Sequence, residues 1–188
     1  MDWNKPTCIP IEAARKDSRL LKQCTDLISR HYADSDRPLQ YALNCESTHL
    51  YVSHNGKGLS AIFFARMPEK WCAGFPSVGD MGLTASLGDA SGQARELWRT
   101  YLADARIAAG HAEVWAWYRT ATPFGLYPCH CLLKYGEPQI NGGLSDAGAT
   151  MIREIRRHFR VPTEGLQDHP FVVRRWASSC YSDLSKGA

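Results

Sequence analysis

The chain has 188 residues, room for one domain with a continuous hydrophobic core. Its 44% hydrophobic and 22% charged residues match globular averages, which excludes collagen-like, coiled-coil and intrinsically disordered chains. Lys and Arg outnumber Asp and Glu by 22 to 19, a net charge of +3, too small to point to nucleic acid or a membrane surface as a partner.

Apolar runs such as Leu59 to Ala65 fall well short of the roughly 18 residues of a membrane helix. The start, Met1-Asp-Trp-Asn-Lys-Pro, lacks the basic-then-apolar pattern of a secretory signal, so a cytoplasmic address is expected. Seven cysteines, odd in number and irregularly spaced, give no disulfide framework and are read as reduced.

In chain order, Pro6 to Ala14 reads as an extended segment, followed by a helix that Asp17 or Ser18 could cap. Leu20, Leu21, Cys24, Leu27, Ile28 and His31 recur at three- and four-residue steps, so that helix is amphipathic. Asp34 to Pro38 is expected to break it, with a short helical stretch over Leu39 to Asn44. Two aromatic and β-branched runs, His49 to His54 and Lys57 to Arg66, flank Asn55-Gly56. That pattern predicts a hairpin closed by a type I′ turn at Asn55-Gly56. Met67 to Ser77 should be a loop, and Val78 to Leu87 a further strand.

Ser91 to Ala109 is strongly helical, with Ala94, Leu97, Trp98, Tyr101, Leu102, Ala105 and Ala108 on one face and Gly110 as terminator. Glu113 to Tyr118 reads as a central strand, and Pro123 opens a helix running through Leu133. A capped helix from Ser145 or Asp146 should carry Met151, Ile152, Ile155 and Phe159 inward and end before Pro162. Phe171 to Trp176 is expected as a last strand, with Ser178 to Ala188 a polar tail. The order predicts a single domain over residues 1–188 of the α+β class, a mixed sheet with helices on both faces. Its strand, long helix, strand unit around residues 91–109 is a right-handed parallel crossover.

Chemistry concentrates at Gly88-Asp-Ala-Ser-Gly-Gln-Ala, between a strand and the long helix. First-turn N–H groups without partners and the helix dipole make such a junction an anion site that a pyrophosphate would fit. The same residues also read as a plain turn capped by Ser91. There is no Gly-Lys-Ser/Thr for a Walker A loop, and the preceding hairpin does not suit a dinucleotide fingerprint.

The element order, together with Gly92, Ala94 and Leu97 in Asp89-Ala-Ser-Gly-Gln-Ala-Arg-Glu-Leu97, resembles the GNAT superfamily of acyl-CoA-dependent N-acyltransferases. The phosphate loop of that family reads Gln/Arg-x-x-Gly-x-Gly/Ala. The chain departs from it at Asp89, where the family prefers a base or Gln, and Thr120 stands where the family tends to place Asn. The resemblance implies a GNAT-like fold and transfer of an acetyl or other acyl group from acyl-CoA to an amine. Leu83, Thr84, Ser91, Gly92, Gln93 and Ala94 would then hold acetyl-CoA or another acyl-CoA. Tyr127, in a Leu-Tyr pair, would protonate the departing thiolate. A backbone N–H from Gly82 to Thr84 would bind the oxyanion, and Asp80 or His130 would take the proton of the amine. The acceptor would be chosen by variable loops, Asp34 to Cys45, Met67 to Ser77 and Gly136 to Gly143.

Three other readings remain at this level. Asp89 and the incomplete motif suit a GNAT-shaped binding or accessory domain without catalysis. Arg153, Arg156, Arg157 and Arg160 could form a basic face for phosphate or nucleic acid, or a solvated helix face. Cys129-His130-Cys131 contains good zinc ligands, but residues 129 and 131 on a helix point apart and no Cys-x-x-Cys pair exists, so no metal is expected.

Overall fold

The computed structural model describes residues 5–32, 34, 36–45, 48–69, 77–88, 91–110, 113–118 and 145–158. Its elements are β1 (Thr7–Pro10), α1 (Ile11–Lys16), α2 (Ser18–Ile28), α3 (Asp36–Asn44), β2 (Thr48–Asn55), β3 (Gly58–Glu69), β4 (Ser77–Ser86), α4 (Ser91–Ala108), β5 (Val114–Tyr118) and α5 (Asp146–His158). The strands and α1 to α4 belong to one compact unit, and α5 to a second. Among the described residues no helix is long and apolar enough to cross a membrane.

The strands form one sheet in the order β1-β2-β3-β4-β5. Neighbours run antiparallel except β4 and β5, which are parallel and joined through α4. Alternation along β2 and β3 gives the sheet two apolar faces. Leu50, Val52, Ile62 and Phe64 meet Cys24, Ile28, Leu39 and Leu43 from α2 and α3. Tyr51 and Phe63 point the other way, onto α4, where the Phe63 and Tyr101 rings stand 5.5 Å apart at 85° and Tyr51 and Tyr101 5.9 Å apart at 81°. Edge-to-face pairs of this kind contribute about 1 kcal/mol each beyond the area they bury. The expected mixed sheet with helices on both faces is therefore present.

Asp17 is the cap of α2, its Oδ1 accepting from the Leu20 N–H at 2.9 Å. Ser145 does the same for α5, its Oγ accepting from the Gly148 N–H at 3.0 Å. Four expectations need correction. The extended N-terminal segment ends at Pro10 and turns into α1, because Pro10 fits just ahead of a first turn and Ile11 and Ala14 share one buried face. Arg15 then bonds the Leu43 carbonyl at the end of α3 through Nε at 2.8 Å. Next, α3 starts at Asp36 and Pro38 lies in its first turn, where a missing N–H costs nothing. The hairpin loop is Gly56-Lys57, since Asn55 pairs with Gly58. Asn55 Oδ1 accepts from the Lys57 N–H at 2.9 Å, and the positive φ falls at Gly58 (125°). Finally, β3 runs through Met67 and Pro68 to Glu69, and Ser77 already belongs to β4. The expected helix from Pro123, the last strand and the polar tail lie outside the described residues.

Cys24 is fully buried in the α2 face, and burial, with the Asp17 charge adding to it, pushes its thiol from 9.0 up to about 12. The folded chain therefore keeps a proton that the unfolded chain loses. Stability from this group is intact below pH 9 and declines as pH rises from 9 toward 12. Denaturant melts at pH 8, 9 and 10 should show wild type losing on the order of 1 kcal/mol per pH unit above pH 9, with Cys24→Ala giving a shallower slope. Equal slopes in the two proteins would refute the assignment.

Candidate functional site

Strand β4 carries one of the sheet's register irregularities. Phe63 pairs with Thr84 and Ala65 with Met81, so β4 advances three residues while β3 advances two. The additional residue is a bulge at Gly82-Leu83. A Cβ on Gly82 would stand 2.8 Å from the Phe64 carbonyl oxygen, so glycine is what permits the close approach. The ladder to β5 pairs Ser77 to Met81 with Val114 to Tyr118. Among the described residues β4 continues from Gly82 to Ser86 with β3 alone.

Leu83 and Thr84 lie in this stretch. Leu83 packs against the α1–α3 core, and Thr84 Oγ1 accepts from Trp98 Nε1 at 3.1 Å, fixing α4 on β4. Gly92, Gln93 and Ala94 form the first turn of α4, which begins at Ser91. Gly92 is exposed, and among the described residues a Cβ there would meet nothing within 4 Å. Ala94 is half-buried. Gln93 turns its side chain into the protein, 3% exposed, where Ser60 Oγ donates to its Oε1 at 2.5 Å. The structure thus brings the expected strand residues and the expected helix N-terminus to adjacent ends of β4 and α4.

Asp80 is buried at 4% exposure on β4. Tyr101 Oη occupies the place of a Gly79 side chain on the α4 side, so Asp80 faces the opposite side. Directly paired residues share a face, and the registers align Thr48, Arg66, Asp80 and Trp117 in one row across β2 to β5. The Thr48 hydroxyl in that row is buried without a hydrogen-bond partner among the described residues. Tyr101 itself donates to the Arg66 carbonyl at 2.9 Å, and burial, then the Asp80 charge, push its phenol well above the usual range. Tyr127 and His130 lie outside the described residues, as do Cys129, Cys131 and Asp89.

Two neighbours of the site were not singled out by sequence reasoning. His31 follows α2 and lies with Nε2 2.6 Å from the Ser86 carbonyl at the end of β4. A carbonyl only accepts, so Nε2 carries the proton. Ser60 is the other, and its signal was the position of Gln93 four residues ahead of Leu97, in the buried stripe Gln93–Leu97–Tyr101–Ala105. On α5, Arg153 bonds Thr150 Oγ1 and Arg157 pairs with Glu154, so part of the basic series is engaged on its own helix.

No family model and no curated protein matches the sequence. Among solved structures, the chain is similar to an aminoglycoside antibiotic 6′-N-acetyltransferase from Acinetobacter haemolyticus, with 18% identity and a TM-score of 0.51 over 74% of this chain and 93% of that one. It is also similar to a transcriptional regulator from Bacillus halodurans, with 11% identity and a TM-score of 0.51 over 71% and 95%. The chain has the mixed α+β GNAT fold.

A Cβ on Gly79 would stand 1.9 Å from Tyr101 Oη and 3.2 Å from its Cζ. Gly79→Ala should therefore destabilise the fold by about 1–3 kcal/mol. Tyr101→Phe alone should lose about 1 kcal/mol with its bond to Arg66. In the Tyr101→Phe background the Gly79→Ala change should cost at least about 1 kcal/mol less than in wild type. Strictly additive losses in denaturant melts would contradict this packing.

Proposed function

We propose that the chain is a single-domain cytoplasmic N-acyltransferase that transfers an acetyl or other acyl group from acyl-CoA to an amine by direct attack. The observation that carries this reading is the bulge at Gly82-Leu83 on β4, a strand that leads toward the N-terminus of α4. A bulge turns a backbone N–H out of the ladder, and a helix N-terminus offers unpaired N–H groups to phosphate. One strand thus offers a donor for a thioester oxygen near its bulge and leads to a cradle for the pyrophosphate. The GNAT fold supports the same assignment.

In this reading Gly92 and Ala94 bind the pyrophosphate through backbone N–H groups, with Ser91 and Gln93 in the same turn, and Leu83 and Thr84 flank the pantetheine arm. The amine nitrogen attacks the thioester carbon, and the carbonyl electrons move onto oxygen, held by a backbone N–H of Gly82 to Thr84. The C–S bond then breaks as the carbonyl re-forms, and the thiolate takes a proton, from Tyr127 by the family resemblance. Asp80 accepts the proton that the amine loses, and its place about 7 Å along β4 from Gly82 suits that role. His130 is the alternative base.

A second reading is a GNAT-shaped accessory domain that binds without turnover. Asp89 favours it, because a carboxylate beside the phosphates opposes them.

Calorimetric titration with acetyl-CoA and with free CoA separates these readings. Wild type should bind both, and Gly92→Trp, whose side chain starts in open space, should abolish binding without lowering the melting temperature. A folded wild type that binds neither would sink the acyltransferase assignment. With an amine acceptor found by screening, Asp80→Asn should lower kcat by about 10²-fold and leave acetyl-CoA affinity unchanged. Binding with no turnover across primary amines would instead support the accessory domain.

A further inference from the structure

Ser60 is the additional residue of a bulge in β3, since Ser53 pairs with Ala61 and His54 with Leu59. It is fully buried and links three elements. Its carbonyl accepts the Leu87 N–H at 2.9 Å, just past the end of β4. Its hydroxyl donates to Gln93 Oε1 at 2.5 Å in the first turn of α4, with the Ser53 carbonyl 3.0 Å away as the other acceptor. Leu87 and Gln93 stand on either side of the segment 88–92. Both flanks of that segment are therefore tied to one residue of the hairpin.

Gln93 is held there at a cost. Its Nε2 is buried with no hydrogen-bond partner among the described residues, and a buried amide left unsatisfied opposes folding. An unbranched apolar side chain would fill the same place in the stripe with Leu97, Tyr101 and Ala105 without that cost. What the carboxamide supplies, and an apolar residue cannot, is a directional bond from the first turn of α4 to the sheet. An oxyanion cradle made of backbone N–H groups depends on such placement, because misplaced donors lose most of their effect.

We propose that Ser60 and Gln93 are positioning residues that hold the first turn of α4 in register with the end of β4 for the pyrophosphate of acyl-CoA. The inference rests on the acyltransferase reading above. Neither side chain touches the cofactor; both act through the backbone that does.

The test is acetyl-CoA titration of wild type, Ser60→Ala, Gln93→Met and the double variant, with thermal melts of each. Each single change should weaken acetyl-CoA binding about tenfold. The double variant should be no weaker than the singles by more than about twofold, because the same link is lost once. Gln93→Met should melt no lower than wild type, since the unsatisfied amide is gone. A purely structural role would instead make affinity fall only where the melting temperature falls. Should Gln93→Met fail to fold, Ser60→Ala decides alone, because it removes the hydroxyl and keeps the backbone bond to Leu87. Wild-type binding with both single variants within about twofold of it overturns this inference and leaves the acyltransferase reading standing. A wild type that does not bind acetyl-CoA overturns that reading, and this inference with it.

Discussion

Tyr101 lies where α4 meets the sheet. Its hydroxyl fills the space that a side chain at position 79 would take and donates to the Arg66 carbonyl at the β3–β4 seam. Its ring packs edge-on against Phe63 and at 81° to Tyr51. One side chain from the long helix thus contacts three successive strands, and a substitution on any of them is felt by α4. Since α4 connects the parallel pair β4 and β5, its seat also decides where its N-terminus stands relative to the bulge at Gly82-Leu83. The geometry of the candidate site descends from this contact.

Both faces of the sheet carry polar side chains. On the α4 face, polar side chains have named partners: Thr84 with Trp98, Ser60 with Gln93, and Tyr51, whose hydroxyl donates to Asp104 at 3.0 Å. These bonds lock helix to sheet, and a locked surface suits the positioning of a cofactor. The opposite face carries the row Thr48, Arg66, Asp80 and Trp117, four polar or amphipathic residues on neighbouring strands next to an otherwise apolar core.

Much of the fold was legible because periodicity reports burial directly. The apolar runs of β2 and β3 are buried on both faces of the sheet, and the stripe of α2 maps onto its one buried face. What was not legible depended on tertiary partners. Nothing local distinguishes Asn55-Gly56 as the centre of the turn from Gly56-Lys57; the Asn55 side chain bond and the freedom of Gly58 decide it. Pro68 argued for a loop, yet β3 continues through it to Glu69. At the candidate site, the place of Gly92 and Ala94 in the first turn of α4 was readable from the glycine-helix pattern, whereas the anchoring by Ser60 comes from a bulge that no short motif encodes.

The weak sequence signature is itself what the proposed chemistry would leave. A bulge supplies its donor from the backbone, and so does a helix N-terminus. Neither requires a particular side chain at the contacting atom; both require that the backbone be able to reach its place. At Gly82 that requirement is steric, since the Phe64 carbonyl leaves no room for a Cβ. In the first turn of α4 it is met by a bond from Gln93 to a serine thirty-three residues earlier. Residues that act by shaping backbone can be exchanged for others that shape it equally well. A fold can then persist at 18% identity with an acetyltransferase of known structure while the start of α4 shares only a glycine, an alanine and a leucine with the pattern that the proposed function would use there.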